Sequence, residues 1–382
     1  MKKCLLICFV LFLAGGLLFA GGGAEKKEPD YLVMSWDDIV KAAKAEGSVN
    51  FYSWWGEEFW KTAAADFSKK YGIEAKVIMG DLTANVNKIL AEKDKKAGSV
   101  DCMLIGGEGV KSTIDSGVFY GPINKLLPNY AKLDQKLATV QEGVQTKGYL
   151  APVYRNQTGL LYDPDKVKNP PQTWEELVAW INANPKQFAF CDPTTGGSGQ
   201  SFVQLVIDKT TGGLDKYKGD TALDTAKVAN WNLAWDWFNK MKDKMVITAS
   251  NNDSLSRLNQ GEVSLIIAWD DDTQVNLKSG SLFKRAKLYI PQMGLAGGGD
   301  SAGVLKNAAH KAAGLLFVSY LTEADVQVQM NELIGSYLAR TDVQGKMALL
   351  PEEERQKNGV AWVPAPYKDH FKKEFVKNVL MK

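Results

Sequence analysis

Histidine and cysteine are scarce in this 382-residue chain, and neither sign of charge is in excess. The two histidines, His310 and His370, lie far apart in lysine-bearing stretches of helical character. No His-x-Glu, His-Glu-x-x-His or Cys-x-x-Cys spacing occurs, so zinc has no recognisable ligand set. A Gly-x-Ser-x-Gly nucleophile elbow is missing, since Gly197-Ser198-Gly199 lacks the spacing. The Gly-x-x-x-x-Gly-Lys-Ser/Thr phosphate loop is missing too. A carboxylate-pair hydrolase stays open, because 44 acidic residues offer many pairs. The reading is a non-enzyme without a cofactor. The 46 Lys and Arg balance the acids, which gives no reason to expect nucleic acid or an anionic membrane surface as partner.

Long hydrophobic runs are equally lacking. The apolar stretch from Leu5 to Phe19 is too short and too glycine-broken for a membrane span. Preceded by Lys2 and Lys3 and ending in Leu18-Phe19-Ala20 before Gly21-Gly22-Gly23, it has the three regions of a secretory signal peptide. Cleavage near Ala20 would leave an extracytoplasmic, periplasmic protein. No cysteine stands at that junction, and Cys8 leaves almost no apolar region ahead of it, so a lipid anchor is the minor alternative. Cys102 and Cys191 would survive cleavage, as one disulfide or as two buried thiols.

About 360 residues then remain, enough for two or three domains. Residues 21–34 are rich in Gly, Lys and Glu and read as a flexible tether. Ser35 caps a helix that stops at Gly47; strands at 49–54, 73–79 and 100–105 alternate with helices at 57–71 and 85–96. That alternation is the doubly wound α/β pattern with a parallel sheet. It restarts after two strands, 149–153 and 158–162, that flank Tyr154-Arg155-Asn156-Gln157. The expected organisation is two lobes: residues 35–153 with 272–320, and residues 154–271 with 321–382, with crossovers near 154 and 270.

What the chain does have is aromatics: 11 Trp, 15 Phe and 13 Tyr. In open α/β sheets ligands bind beyond the carboxyl ends of the strands. The first strand carries Tyr52, Trp54 and Trp55 to that edge, with Glu57 behind them. Consecutive residues of a strand point to opposite faces, so two neighbouring Trp cannot share one core face. Asp81 and Glu108 end the second and third strands; each could face a ligand or cap the next helix. Tyr154, Arg155 and Asn156 lie at the crossover. Ser198 sits in the glycine loop 196–199 ahead of a helix, where backbone N–H groups could hold an anion or form a plain turn. Trp269 and Asp270 end an apolar strand, an aromatic face beside carboxylates that suits an organic cation. Asp272 reads as a helix cap, and Tyr337 completes the candidate set.

Several stretches resemble, in order and spacing, the extracellular solute-binding proteins of ABC importers, family 1, type II periplasmic group. They are Gly47-Ser48-Val49-Asn50-Phe51-Tyr52-Ser53-Trp54, Gly98-Ser99-Val100-Asp101, Thr158-Gly159-Leu160-Leu161-Tyr162-Asp163, Pro171-Gln172-Thr173-Trp174-Glu175-Glu176-Leu177 and Ala339-Arg340-Thr341-Asp342-Val343. The resemblance covers about residues 46–345 and implies two doubly wound α/β lobes joined by a hinge that close over one ligand. It also implies a monomer that delivers its ligand to an inner-membrane ABC permease. The branch it is nearest to includes proteins for thiamine, polyamines and iron. Iron binders of this type use two adjacent tyrosines, and this chain has no Tyr-Tyr pair. The expected ligand is a small organic cation, thiamine- or polyamine-like, with a sugar or an anion as the alternative.

Overall fold

The computed structural model describes residues 29–107, 109–346 and 349–382. The signal-peptide reading and most of the tether fall outside these residues. The described end of the tether is not loose. Tyr31–Val33 form a single 3-10 turn capped by Asp30, and the buried Tyr31 hydroxyl donates to Glu46 at 3.2 Å.

In chain order the strands of the first half are β1 (Ser48–Ser53), β2 (Glu74–Met79), β3 (Cys102–Ile105), the short hairpin β4 (Val140–Gln141) and β5 (Val144–Gln145), and β6 (Ala151–Tyr162). Those of the second half are β7 (Phe188–Cys191), β8 (Met245–Thr248), β9 (Leu265–Trp269), β10 (Lys287–Tyr289), β11 (Leu295–Val304), β12 (Tyr337–Leu338) and β13 (Gly359–Ala361). The main order is β2-β1-β3-β11-β6-β9-β7-β8. Each end is a parallel trio, β2-β1-β3 and β9-β7-β8, and the antiparallel pair β11-β6 joins the two.

The lobes follow from where apolar faces are buried. Phe51, Phe59, Trp60, Phe67 and Phe317 form one core with Met103, Val153, Met330 and Ala339. Phe188, Phe190, Phe202, Phe238, Phe371 and Phe375 form the other. The boundaries therefore differ from those expected. The helix Asp270–Ser279, the Leu282 region and β10 stay with the second lobe, while residues 321–339 pack on the first. The return passage is β11 rather than the chain near 270.

The first crossover is one unbroken 12-residue strand, β6, where the sequence suggested two. Its polar centre made Tyr154–Gln157 look like a loop, yet that centre is the part that bridges the lobes. Gly297-Gly298-Gly299 lies inside β11. A Cβ on Gly299 would stand 2.2 Å from the Tyr154 carbonyl oxygen, so glycine is what lets the two bridging strands pack so closely. Cys102 and Cys191 are separate buried thiols in different lobes.

Candidate functional site

A cleft of about 330 Å³ opens between the lobes at the carboxyl ends of the strands. From the first lobe, Trp54 and Trp55 follow β1, and Gly107 follows β3. From the second, Gly197 and Asn251 follow β7 and β8, and Trp269 ends β9. The crossover strands contribute Tyr154, Asn156, Gly299 and Asp300. Glu142, from the β4–β5 turn, and Trp362 with Lys368, from the C-terminal segment, close one side.

Local structure fixes the aromatic walls. Gly56 turns the chain with φ +70°, and Trp60 donates its indole N–H to the Trp55 carbonyl at 2.6 Å. The Trp55 N–H donates to the Tyr154 hydroxyl, with the two rings edge to face at 5.2 Å. Tyr154 in turn donates to Asp300, so one chain of hydrogen bonds runs from β1 through β6 to β11. Trp269 packs over the bare backbone of Gly197; a Cβ there would meet its ring at 2.8 Å. Trp362 leans against it with ring centroids 6.2 Å apart.

Between these walls stand Asp271, Asp272 and Asp300. Burial pushes Asp300 up to about 7, with Glu142 adding to the rise, while Tyr154 and Lys368 oppose it. Burial takes Asp272 to about 6. Asp271 is held well above the usual carboxylate range by burial and by the charges of Asp270, Asp272 and Asp300. Lys368 is the one cation among the described lining residues, and Glu142 holds it at 2.8 Å. The cleft is therefore an aromatic cage with unneutralised carboxylates. Among the described residues no group of three or more His, Cys, Asp or Glu is arranged to hold a metal ion.

Of the residues singled out in the sequence, Trp54, Trp55, Asn156 and Trp269 line this cleft, together with Tyr154. The others do not. Tyr52 is buried in the first core, because its strand position points away from the opening. Glu57 is exposed in the first turn of the helix Glu57–Tyr71, paired with Lys61 at 2.6 Å. Asp81 caps the helix Leu82–Glu92 by accepting from the Ala84 N–H. Arg155 alternates to the back of β6, where it meets Asp134 and Glu352 and donates to the Leu338 carbonyl. Ser198 is buried one layer below, donating to Asn251 at 2.8 Å, so it orients a lining residue rather than a ligand. Tyr337 is buried against Leu350. Glu108 lies outside the described residues.

The acidic turn is displaced by one residue from expectation. Asp270 is buried beneath the cleft, one carboxylate oxygen accepting from the Gln157 and Asp271 N–H groups at 2.9 Å. Asp271 and Asp272 face the opening instead, because the helix starting at Asp270 rotates its first turn toward the cleft. Sequence reasoning missed Glu142, Gln200, Asn251, Asp300, Trp362 and Lys368 as lining residues. Asp300 directly follows the glycine triplet, a signal that could have pointed to it; Trp362 and Lys368 carried none.

The family model for bacterial extracellular solute-binding proteins matches residues 62–353, well over half of the chain. Protein YnjB of Escherichia coli (strain K12) is 24% identical over 181 residues, 45% of this chain and 46% of that protein. The chain thus spans about half the length of that curated relative. Among solved structures, the spermidine/putrescine ABC transporter substrate-binding protein PotD from Streptococcus pneumoniae aligns with a TM-score of 0.69 at 14% identity, over 87% of this chain and 98% of that one. The periplasmic binding protein AfuA from Actinobacillus pleuropneumoniae, with fructose-6-phosphate bound, aligns with a TM-score of 0.62 at 16% identity, over 88% and 99%. These likenesses establish the fold, the two-lobed type II architecture. With the family model spanning both lobes, the chain belongs to the bacterial extracellular solute-binding proteins.

Proposed function

We propose that this protein is an exported, monomeric receptor that captures a small organic cation, thiamine- or polyamine-like, between its lobes and hands it to an inner-membrane ABC permease. Membership of a solute-binding family supports capture without turnover. The observation that carries the choice of ligand is the electrostatics of the cleft. Asp271, Asp272 and Asp300 stand among the rings of Trp54, Trp55, Trp269 and Trp362, and the one cation among the described lining residues is already neutralised by Glu142. An organic cation meets ring faces and carboxylates there at once, which favours it in a partly desolvated site. A sugar phosphate would be set against three acids. Contacts from both lobes let the ligand favour the closed arrangement, which is how differential affinity shifts such an equilibrium.

The test is thermal unfolding of the mature protein with thiamine, spermidine, putrescine, glucose, fructose-6-phosphate and ferric citrate. Ligand at 100 times its Kd adds about 2.7 kcal/mol of stability. Stabilisation by a cation alone is the expected outcome. Stabilisation by the sugar, the sugar phosphate or iron, with no cation effective, would overturn the cation reading and leave the receptor.

A further inference from the structure

Lys368 occupies the cleft as a ligand would. Its ammonium lies 4.0 Å from the centroid of the Trp362 ring and 2.8 Å from the Glu142 carboxylate. An aromatic face with a carboxylate beside it is the minimal cage for an ammonium group. Here the chain's own side chain fills it. Both charged side chains are only 7% exposed, so Lys368 is not a solvated arm that swings aside.

The pair is also locked by backbone on both sides. Glu142 belongs to the turn of the β4–β5 hairpin, which packs on the first lobe through Val144, and it holds a left-handed φ of 51°. Lys368 belongs to the helix Ala365–Phe375, whose Phe371 and Phe375 enter the second core. The Ala365 N–H donates to the Glu142 carbonyl at 3.2 Å, and a Cβ on Gly143 would stand 2.4 Å from Pro364 Cα. Expelling Lys368 would part its ammonium from the carboxylate and the ring that hold it and break a contact between lobes, so a ligand would have to displace a fixed, buried cation.

We propose that Lys368 is a built-in occupant of a second cation subsite, and that it sets this receptor to take ligands with one ammonium-like centre and to reject diammonium ligands of the same length. The inference rests on the cation reading of the cleft and narrows it from polyamine-like to monocationic cargo. The free subsite is the one bounded by Asp271, Asp272 and Asp300. A second ligand charge would have to share the remaining space with the Lys368 ammonium, unscreened by bulk water.

Two probes isolate this effect, n-pentylamine and 1,5-diaminopentane, which differ by one ammonium on the same carbon chain. Their binding is read by tryptophan fluorescence titration of the mature protein. The wild type is expected to bind the monoamine at least tenfold more tightly than the diamine. Lys368→Met empties the subsite while keeping Glu142, and its affinity for the diamine should rise at least tenfold with little change for the monoamine. The double variant Glu142→Gln with Lys368→Met removes both charges of the pair together and should fold like the wild type without that gain. A wild type that binds the diamine as tightly as the monoamine overturns the proposal, whether or not Lys368→Met folds. An unchanged ratio in a folded Lys368→Met also overturns it, and both results leave the cation reading standing. Failure of both amines to bind the wild type would remove the cation reading, and this inference with it.

Discussion

Trp269 is held in the cleft by what lies beneath it. Gly197 gives it a flat backbone floor, and Trp362 leans on its face. Removing the ring takes away stacking area without touching either core, so Trp269→Ala should weaken cation binding at least tenfold, about 1.4 kcal/mol, in a titration. Its unfolding midpoint should stay near that of the wild type; unchanged affinity would take Trp269 out of the site. The carboxylates give a second prediction. Asp270 and Asp300 titrate at about 7 and Asp272 at about 6, whereas unfolded aspartates titrate near 3.8. Between about pH 4 and 7 the native protein therefore holds more protons than the unfolded chain, and its stability falls as pH rises through that window. Glu92, lowered to about 2 by hydrogen bonds led by that from the Ser99 N–H, has the opposite sign and acts only below about 4.5. The melting temperature of the ligand-free protein should fall from pH 5 to pH 8. Affinity for a cation should rise over the same range, as ligand replaces protons. At this scale the sequence was partly legible. Consecutive Trp54 and Trp55 cannot both enter one core face, which made them visible. Asp270, read as facing the ligand, lies beneath the cleft, and Asp272, read as a cap, lines it, because rotation at a helix start is not written in a run of three aspartates.

At the scale of elements, the pair β6 and β11 carries the hinge, and glycine decides how tightly it is built. A methyl group at Gly299 would lie 2.2 Å from the Tyr154 carbonyl oxygen and 2.8 Å from the Leu137 side chain. The first neighbour is backbone and cannot turn away. Gly299→Ala should therefore cost about 1–3 kcal/mol, the usual range for overpacking, seen as a lower urea midpoint. A loss below about 0.5 kcal/mol would mean that the two strands separate easily. The parallel trio of the first lobe was legible as strand–helix alternation behind a helix capped by Ser35, whereas β8 of the second lobe was not. The bridging strands were not, for a physical reason. A strand shared by two lobes has no single core face, so β6 loses its apolar alternation at Tyr154–Gln157, and β11 replaces side chains with three glycines. Both patterns look like loops when the partner strand is unknown. The misplaced lobe boundaries follow from that one ambiguity.

Over the whole molecule, the acids belong to different bodies. Asp271 and Asp272 ride on the second lobe at the end of β9, while Asp300 lies on β11 beside β3 of the first lobe, hydrogen-bonded to Tyr154. The charge of Asp300 is one of those that raise Asp271, so the repulsion acts across the opening. Against it stand the Glu142–Lys368 ion pair and the Glu142–Ala365 backbone bond on one side of the cleft, and the Lys278 ammonium that donates to the Glu332 carbonyl at 2.9 Å. Unit charges at 4 Å repel by about 1 kcal/mol in water and by about 4 kcal/mol at the effective dielectric of a protein surface, enough to move an equilibrium between two arrangements that differ little in buried area. When the aspartates ionise without a partner, the lobes should separate. When they are protonated, or bridged by a cation, closure should be favoured. Small-angle scattering of the ligand-free protein should thus give a larger radius of gyration at pH 8 than at pH 5. Saturating cationic ligand at pH 8 should restore the compact value. A radius that ignores both pH and ligand would show that the contacts between the lobes fix them, and that the carboxylates of the cleft bind without driving closure.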